Sequence, residues 1–136
     1  MDIKTVAVLG AGTMGNGIAH VFAKSGFRVL LRDVEQVFLD RALQTISKNL
    51  EREASKGKIT AEQREQALKN IESGVGRSGL DGCDFVIEAA TEKFDIKAEL
   101  FRELDRVCRP EVILATNTSS ISITRIGALT KRPDKV

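Results

Sequence analysis

The residues whose types and spacing can do chemistry cluster near the amino terminus. Gly10-Ala11-Gly12-Thr13-Met14-Gly15 follows an apolar run over residues 5–9 and opens an apolar-periodic segment that closes at Gly26. A strand that turns tightly into a helix presents backbone N–H groups and the positive helix end to an anion such as a pyrophosphate. Gly10 permits the turn, Gly12 lets a diphosphate approach the backbone, and Gly15 lets the helix pack close on the strand. A second apolar run, residues 27–32, ends in Asp33, about 18 residues beyond Gly15 and close to the roughly 20-residue offset of a dinucleotide-binding unit. A carboxylate there accepts hydrogen bonds from the adenosine ribose and repels a 2′-phosphate, so the spacing predicts NAD over NADP. Arg32 is the one neighbour that argues for NADP. The bland alternative is a doubly wound fold that binds another nucleotide or none.

The elements that must position these residues alternate. Leu39, Leu43, Ile46, Leu50 and Ala54 recur at three- and four-residue intervals and predict one long helix over 36–56. Gly57-Lys58 breaks it, and Thr60-Ala61-Glu62-Gln63 is a capping box starting a second helix that runs to about Asn70. This helical hairpin, about residues 36–70, stands where a plain unit has one shorter crossover. It either packs on the sheet or projects as an arm toward a substrate. A short strand is expected over 71–75, a buried strand over 84–90, a helix over 95–107 that Pro110 ends, a strand over 112–116, and a short helix over 123–129. Such alternation predicts an α/β, Rossmann-type doubly wound, mostly parallel sheet with right-handed crossovers.

Length and composition bound the class. With 136 residues, 42% hydrophobic and 29% charged, the chain reads as one ordinary globular domain spanning residues 1–136, and a net charge of +2 points to neither nucleic acid nor membrane. No 18-residue apolar stretch predicts a transmembrane helix, and no leader precedes the first strand, so a cytoplasmic protein is expected. Cys83 and Cys108 read as small buried thiols rather than a disulfide or a metal site.

In a sheet of this kind ligands bind outside the carboxyl ends of the strands. That directs attention to Gly10–Gly15, Asp33 onward, Ala89–Lys97 and Asn117–Ser120. Glu92 and Lys97 lie just past a strand end, either to meet ligand or as a solvated helix start. Asn117-Thr118-Ser119-Ser120 serves equally well as a turn and helix cap. His20, the single histidine, reads as a surface or packing residue.

Residues 8–19 (VLGAGTMGNGIA), 86–92 (VIEAATE) and 115–120 (ATNTSS) together resemble the L-3-hydroxyacyl-CoA dehydrogenases, in particular the short bacterial 3-hydroxybutyryl-CoA type. The resemblance implies an NAD-dependent oxidation of the 3-hydroxyl of an acyl-CoA, or the reverse reduction, in fatty-acid or butanoate metabolism. It implies that Gly10, Ala11, Gly12, Thr13, Met14 and Gly15 hold the pyrophosphate and that Asp33 holds the ribose. It also implies that Ala90, Glu92 and Lys97 contact the cofactor, Lys97 reaching substrate as well. Ser119 matches the serine between nicotinamide and substrate hydroxyl, and Asn117 its neighbour, so both are candidate catalytic and cofactor-binding residues. Lys56 matches a lysine that meets CoA, where a cation suits phosphates. Asn49 stands where some relatives carry a serine that meets CoA.

The family's catalytic histidine and its partner glutamate match no residue here, nor does the helical carboxyl-terminal domain through which the full-length protein is expected to form a homodimer. The chain alone is therefore expected to bind NAD and turn over negligibly. Two alternatives stand beside this reading: a non-catalytic NAD(H)-binding regulatory module, and an NAD enzyme for another small hydroxy acid, which the Asn-Thr-Ser-Ser loop and the hairpin disfavour.

Overall fold

A computed structural model describes residues 2–90, 93–117 and 123–136. Five strands, β1 (Thr5–Leu9), β2 (Arg28–Asp33), β3 (Ile71–Val75), β4 (Phe85–Glu88) and β5 (Ile113–Thr116), form one sheet in the order β3-β2-β1-β4-β5. Every pairing is parallel. Parallel neighbours require crossovers, and the helices α1 (Thr13–Lys24), α2 (Gln36–Ser55), α3 (Ala61–Lys69) and α4 (Phe94–Val107) supply them, with a short α5 (Ile123–Gly127) after β5.

Because side chains alternate across a strand, the sheet feeds two cores. Val6, Val8, Val29 and Leu31 face Ala19, Leu39, Ile46, Leu50 and Ala67 of α1–α3. Ala7, Leu9, Leu30, Val86 and Leu114 face Leu100, Phe101, Leu104 and Ile126 of α4 and α5. A sheet covered on both faces explains the uninterrupted apolar strands. The hairpin packs: Leu39, Ala42, Ile46 and Leu50 are its buried stripe, whereas Leu43 and Ala54 are only half-buried.

Several local signals are realised as they stand in the sequence. Thr60 accepts a hydrogen bond from the Gln63 N–H at 3.1 Å, and Gln63 accepts one from the Thr60 N–H at 2.8 Å, closing the capping box at the start of α3. β4 is shorter than the apolar run 84–90; just before it, Asp84 donates its N–H to the Thr5 carbonyl at 2.8 Å while its carboxylate accepts from the N–H groups of Lys4 and Thr5, at 2.9 and 3.0 Å. α5 ends at Gly127 rather than near 129, where the chain enters a turn that Thr130 closes by donating its hydroxyl to the Gly127 carbonyl at 2.9 Å. Arg132, nearly buried, reaches back to tie this segment to the end of α4, donating to the carbonyls of Asp105, Cys108, Arg109 and Val112 and to the Asp105 carboxylate. Cys83 and Cys108 are both buried and free. Cys83 donates its Sγ–H to the Leu80 carbonyl at 3.0 Å, and the neighbouring Cys108 together with burial pushes its thiol above the ordinary range.

Candidate functional site

The strand order reverses between β1 and β4, both of which point their carboxyl ends at the same edge. The glycine turn sits there. Gly10 has φ +106°, and its N–H donates to the Arg32 carbonyl at 2.8 Å, which locks the turn onto the end of β2. A Cβ at Gly15 would lie 1.7 Å from the Gly10 carbonyl oxygen, so only glycine lets α1 approach this closely.

Gly12 differs: among the described residues, a Cβ there would meet nothing within 4 Å and no side chain caps the first turn of α1. The amide edge of that turn thus opens onto free space with its N–H donors uncapped, which is what a pyrophosphate requires. Thr13 and Met14 are exposed on the same turn. The residues present fit a dinucleotide diphosphate.

Asp33 closes β2 beside this turn. One carboxylate oxygen accepts from the Ala11 N–H at 2.7 Å and the other from the Val34 N–H at 2.6 Å. Each oxygen keeps a second acceptor direction for a ribose hydroxyl. An 80 Å³ cavity brings Asp33 together with Gly10, Val34, Gly76 and Ala90, joining three of the candidate cofactor contacts from the ends of different strands. Arg32 borders the same cavity, as does Arg77, but its guanidinium is engaged by protein acceptors. Its guanidinium is 5% exposed and donates to the carbonyls of Ser78 (3.0 Å), Leu31 (3.2 Å) and Glu72 (2.9 Å), with the Glu72 carboxylate at 3.4 Å. Four of its five N–H donors are committed in this way, which weakens Arg32 as an argument for NADP.

At the ends of β4 and β5 lies a buried polar group. Glu88 and Lys97 are both fully buried and paired at 2.5 Å, and Thr116 donates its hydroxyl to the same carboxylate oxygen at 2.7 Å. The second oxygen of Glu88 accepts from the Ala90 N–H at 2.7 Å. Lys97 is therefore not the solvated helix residue that its position past a strand end permits. Sequence reasoning passed over Glu88, although the signal was there: a carboxylate inside a strand buried on both faces needs a counter-charge. Asn117, exposed, donates its N–H to the Glu88 carbonyl at 2.7 Å, so it holds the end of β5 in register with β4. Glu92 and Ser119 lie outside the described residues.

The hairpin builds a separate recess. A cavity of about 310 Å³ between α1 and α2 is lined by Asn16, His20, Asn49, Arg52, Glu53, Lys56 and Lys58 and brings the two hairpin candidates, Asn49 and Lys56, together. Lys56 follows the last turn of α2 as its C-cap. Asn16 also lines a 270 Å³ cavity that reaches Gly12, Thr13 and Arg41, so the two recesses adjoin. Within the first, Glu53 lies 3.3 Å from Lys24 and 3.4 Å from His20. Burial acts to raise the Glu53 pKa, but the hydrogen bond and charge of Lys24, joined by His20, outweigh it and hold the carboxyl below its usual range.

A parallel sheet of this order, with a glycine turn at its switch point and an acidic residue closing the second strand, defines a dinucleotide-binding Rossmann domain. Comparison with known proteins narrows the class. Residues 5–136 match the family described as 3-hydroxyacyl-CoA dehydrogenase, NAD binding domain, and the chain belongs to that family. Its cofactor is NAD.

Among relatives, a 3-hydroxybutyryl-CoA dehydrogenase of Bradyrhizobium diazoefficiens is 49% identical over 133 residues, covering 98% of this chain and 45% of that protein. A 3-hydroxyadipyl-CoA dehydrogenase of Escherichia coli is 46% identical over 136 residues, covering 100% of this chain and 29% of that protein. A crystal structure of an Escherichia coli 3-hydroxybutyryl-CoA dehydrogenase superposes with a TM-score of 0.96 at 46% identity, covering 100% of this chain and 29% of the other. The chain thus spans less than half the length of these relatives. Among the described residues, no helix is long and apolar enough to cross a membrane.

Proposed function

We propose that the protein carrying this chain oxidises the 3-hydroxyl of a short-chain (S)-3-hydroxyacyl-CoA to a 3-ketone with NAD, or runs the reverse reduction, as a soluble enzyme of fatty-acid or butanoate metabolism. The observation that carries the reading is the hairpin cavity. It gathers Lys56, Arg52 and Lys58, three cations suited to the phosphates of a CoA ester, beside Asn49 and next to the recess at the glycine turn. A domain that only sensed NAD(H) would have no use for a cationic recess on the hairpin side of that turn.

When bound, NAD supplies the hydride acceptor, and the chemistry of hydride transfer is its own. The chain's residues bind and orient. The amides of the glycine turn and the α1 end hold the diphosphate, Asp33 accepts from the ribose, and Ala90 borders the same recess. Asn117 stands at the β5 end, two residues before Ser119, whose hydroxyl we assign from its motif to hydrogen-bond the reacting oxygen. Removing the hydroxyl proton needs a base that titrates near neutral pH. His20, the single histidine of the sequence, faces Glu53 in the hairpin cavity and is not placed for that task.

The test is calorimetric titration of the chain with NADH, followed by acetoacetyl-CoA. NADH binding, then CoA-ester binding that weakens about tenfold or more in Lys56→Ala, is the expected result. NADH binding with acetoacetyl-CoA affinity unchanged in Lys56→Ala removes the hairpin from the substrate site. Appreciable reduction of acetoacetyl-CoA by these 136 residues refutes the argument about the base.

A further inference from the structure

Glu88, Lys97 and Thr116 come from β4, α4 and β5 and meet at the carboxyl edge of the sheet, beside the glycine turn. Glu88 and Lys97 are wholly buried, and neither lines a described cavity that reaches ligand space. Burying an ion pair is expensive, and an apolar pair of the same shape would serve stability at least as well. The pairing calls for a reason other than packing.

The geometry points to one. The Glu88 carboxylate does two things: one oxygen holds the Lys97 ammonium and the Thr116 hydroxyl, and the other fixes the Ala90 N–H, on a residue that lines the Asp33 recess. The Glu88 backbone adds two more ties: its carbonyl takes the Asn117 N–H, and the next residue, Ala89, donates to the Leu9 carbonyl at 2.8 Å. Ala89 also abuts the glycine turn, since a Cβ on Gly10 would fall 2.7 Å from the Ala89 carbonyl oxygen. Glu88 and Ala89 together thus register the ends of β1, β4 and β5 against the turn, the Glu88 side chain supplying the ties to Lys97, Thr116 and the Ala90 N–H. Lys97 spends two of its three N–H donors on Glu88 and Thr116 among the described residues, which fixes the direction of the third.

We propose that Glu88 is a positioning residue for the dinucleotide, setting Lys97 and the Ala90 backbone at the strand ends so that cofactor affinity depends on a side chain that never touches the cofactor. The inference rests on the NAD reading above and names a residue that reading does not use.

The test is a double-mutant cycle with two readouts, the NADH dissociation constant of the folded protein by nicotinamide fluorescence and the unfolding midpoint in urea. Glu88→Gln leaves Lys97 in place but unanchored, and Lys97→Met removes the ammonium. Each is expected to weaken NADH about tenfold, and the double variant by clearly less than the product of the two, because Glu88 acts in part through Lys97 and in part through the Ala90 N–H. The double variant is expected to recover much of the stability that Glu88→Gln loses, since no charge is then left buried alone. Thr116→Val, a near-isosteric change that keeps the fold, is expected to weaken NADH severalfold.

Wild-type NADH affinity in Glu88→Gln together with lowered stability would overturn the proposal and leave a structural ion pair. So would losses in the two single variants that multiply in the double. Failure of the wild-type chain to bind NADH would instead overturn the cofactor reading, and with it this inference.

Discussion

Three glycines within one turn and helix do different work, and substituting each by alanine separates those roles. In Gly15→Ala the new Cβ stands 1.7 Å from the Gly10 carbonyl oxygen, whereas ordinary contact begins near 3.4 Å, so α1 must retreat by well over an ångström. Both partners are backbone, and no rotamer change relieves the clash. Overpacking of this kind costs about 1–3 kcal/mol, offset in part by the ~1 kcal/mol helix gain of alanine over glycine. The net expectation is a loss of about 1–2 kcal/mol, or roughly 3–8 °C in Tm for a chain of this size. Retreat of α1 also carries its first-turn amides away from the diphosphate, and NADH affinity should fall at least tenfold.

Gly12→Ala meets no atom of the described residues within 4 Å, so stability should change by about 1 kcal/mol or less, yet its Cβ enters the space the diphosphate needs and NADH binding should still fall. Gly17→Ala, exposed within α1 and facing open space, should stabilise the fold by about 0.5–1 kcal/mol and leave NADH binding unchanged. The sequence contains no tryptophan or tyrosine, so unfolding is followed by far-ultraviolet circular dichroism and binding by the fluorescence of NADH itself. Equal stability and equal NADH affinity for Gly15→Ala and Gly17→Ala would refute the reasoning, because close approach of helix to strand would then not be what Gly15 provides.

Other perturbations follow from the same geometry. Asp33→Asn should narrow the preference for NAD over NADP at least tenfold in competition titrations, while Arg32→Met should leave that ratio alone and cost about 2–3 kcal/mol in urea unfolding, because it strips charged donors from buried carbonyls. The N–H groups of Lys4 and Thr5, with burial opposing and the Arg109 guanidinium assisting, hold the Asp84 carboxyl below its usual range. A carboxyl lowered on folding stabilises fully above its unfolded pKa of about 3.9 and loses that contribution as pH falls through the folded value. Asp84→Asn should therefore destabilise at pH 7, with the gap to wild type closing toward pH 2–3, and a gap that stays constant with pH would contradict this. Thr60→Ala opens the capping box of α3 and should cost about 1 kcal/mol in the urea midpoint, recovered in part by Thr60→Ser.

Much of the molecule was legible in its sequence because the deciding interactions are local. The capping box links residues three apart, the stripe of α2 repeats within single turns, and β1, β2, β4 and β5 announce themselves as short apolar runs between turn residues. The glycine turn and Asp33 were legible for the same reason: a strand, a tight turn and a helix are consecutive in the chain, and their glycines are demanded by contacts within that unit. The two hairpin candidates, Asn49 and Lys56, lie two turns apart on one helical element, so their meeting in one recess follows from helix periodicity.

Tertiary structure decided what the buried and half-buried charges do. Nothing within a few residues of Arg32 says that it donates to the Ser78 and Glu72 carbonyls, and only those contacts occupy its guanidinium at the edge of the cofactor recess. His20 meets Glu53 because α1 and α2 pack side by side on one face of the sheet. Lys97, which by position reads as a solvated helix residue, lies buried against Glu88 and Thr116 because β4 and β5 are neighbours in the sheet and α4 folds back over their ends. A residue's own neighbourhood dictates its backbone conformation. The partner of a charge withdrawn from water is supplied by whichever distant segment the strand order brings alongside, and that order exists only once the sheet has closed around its two cores.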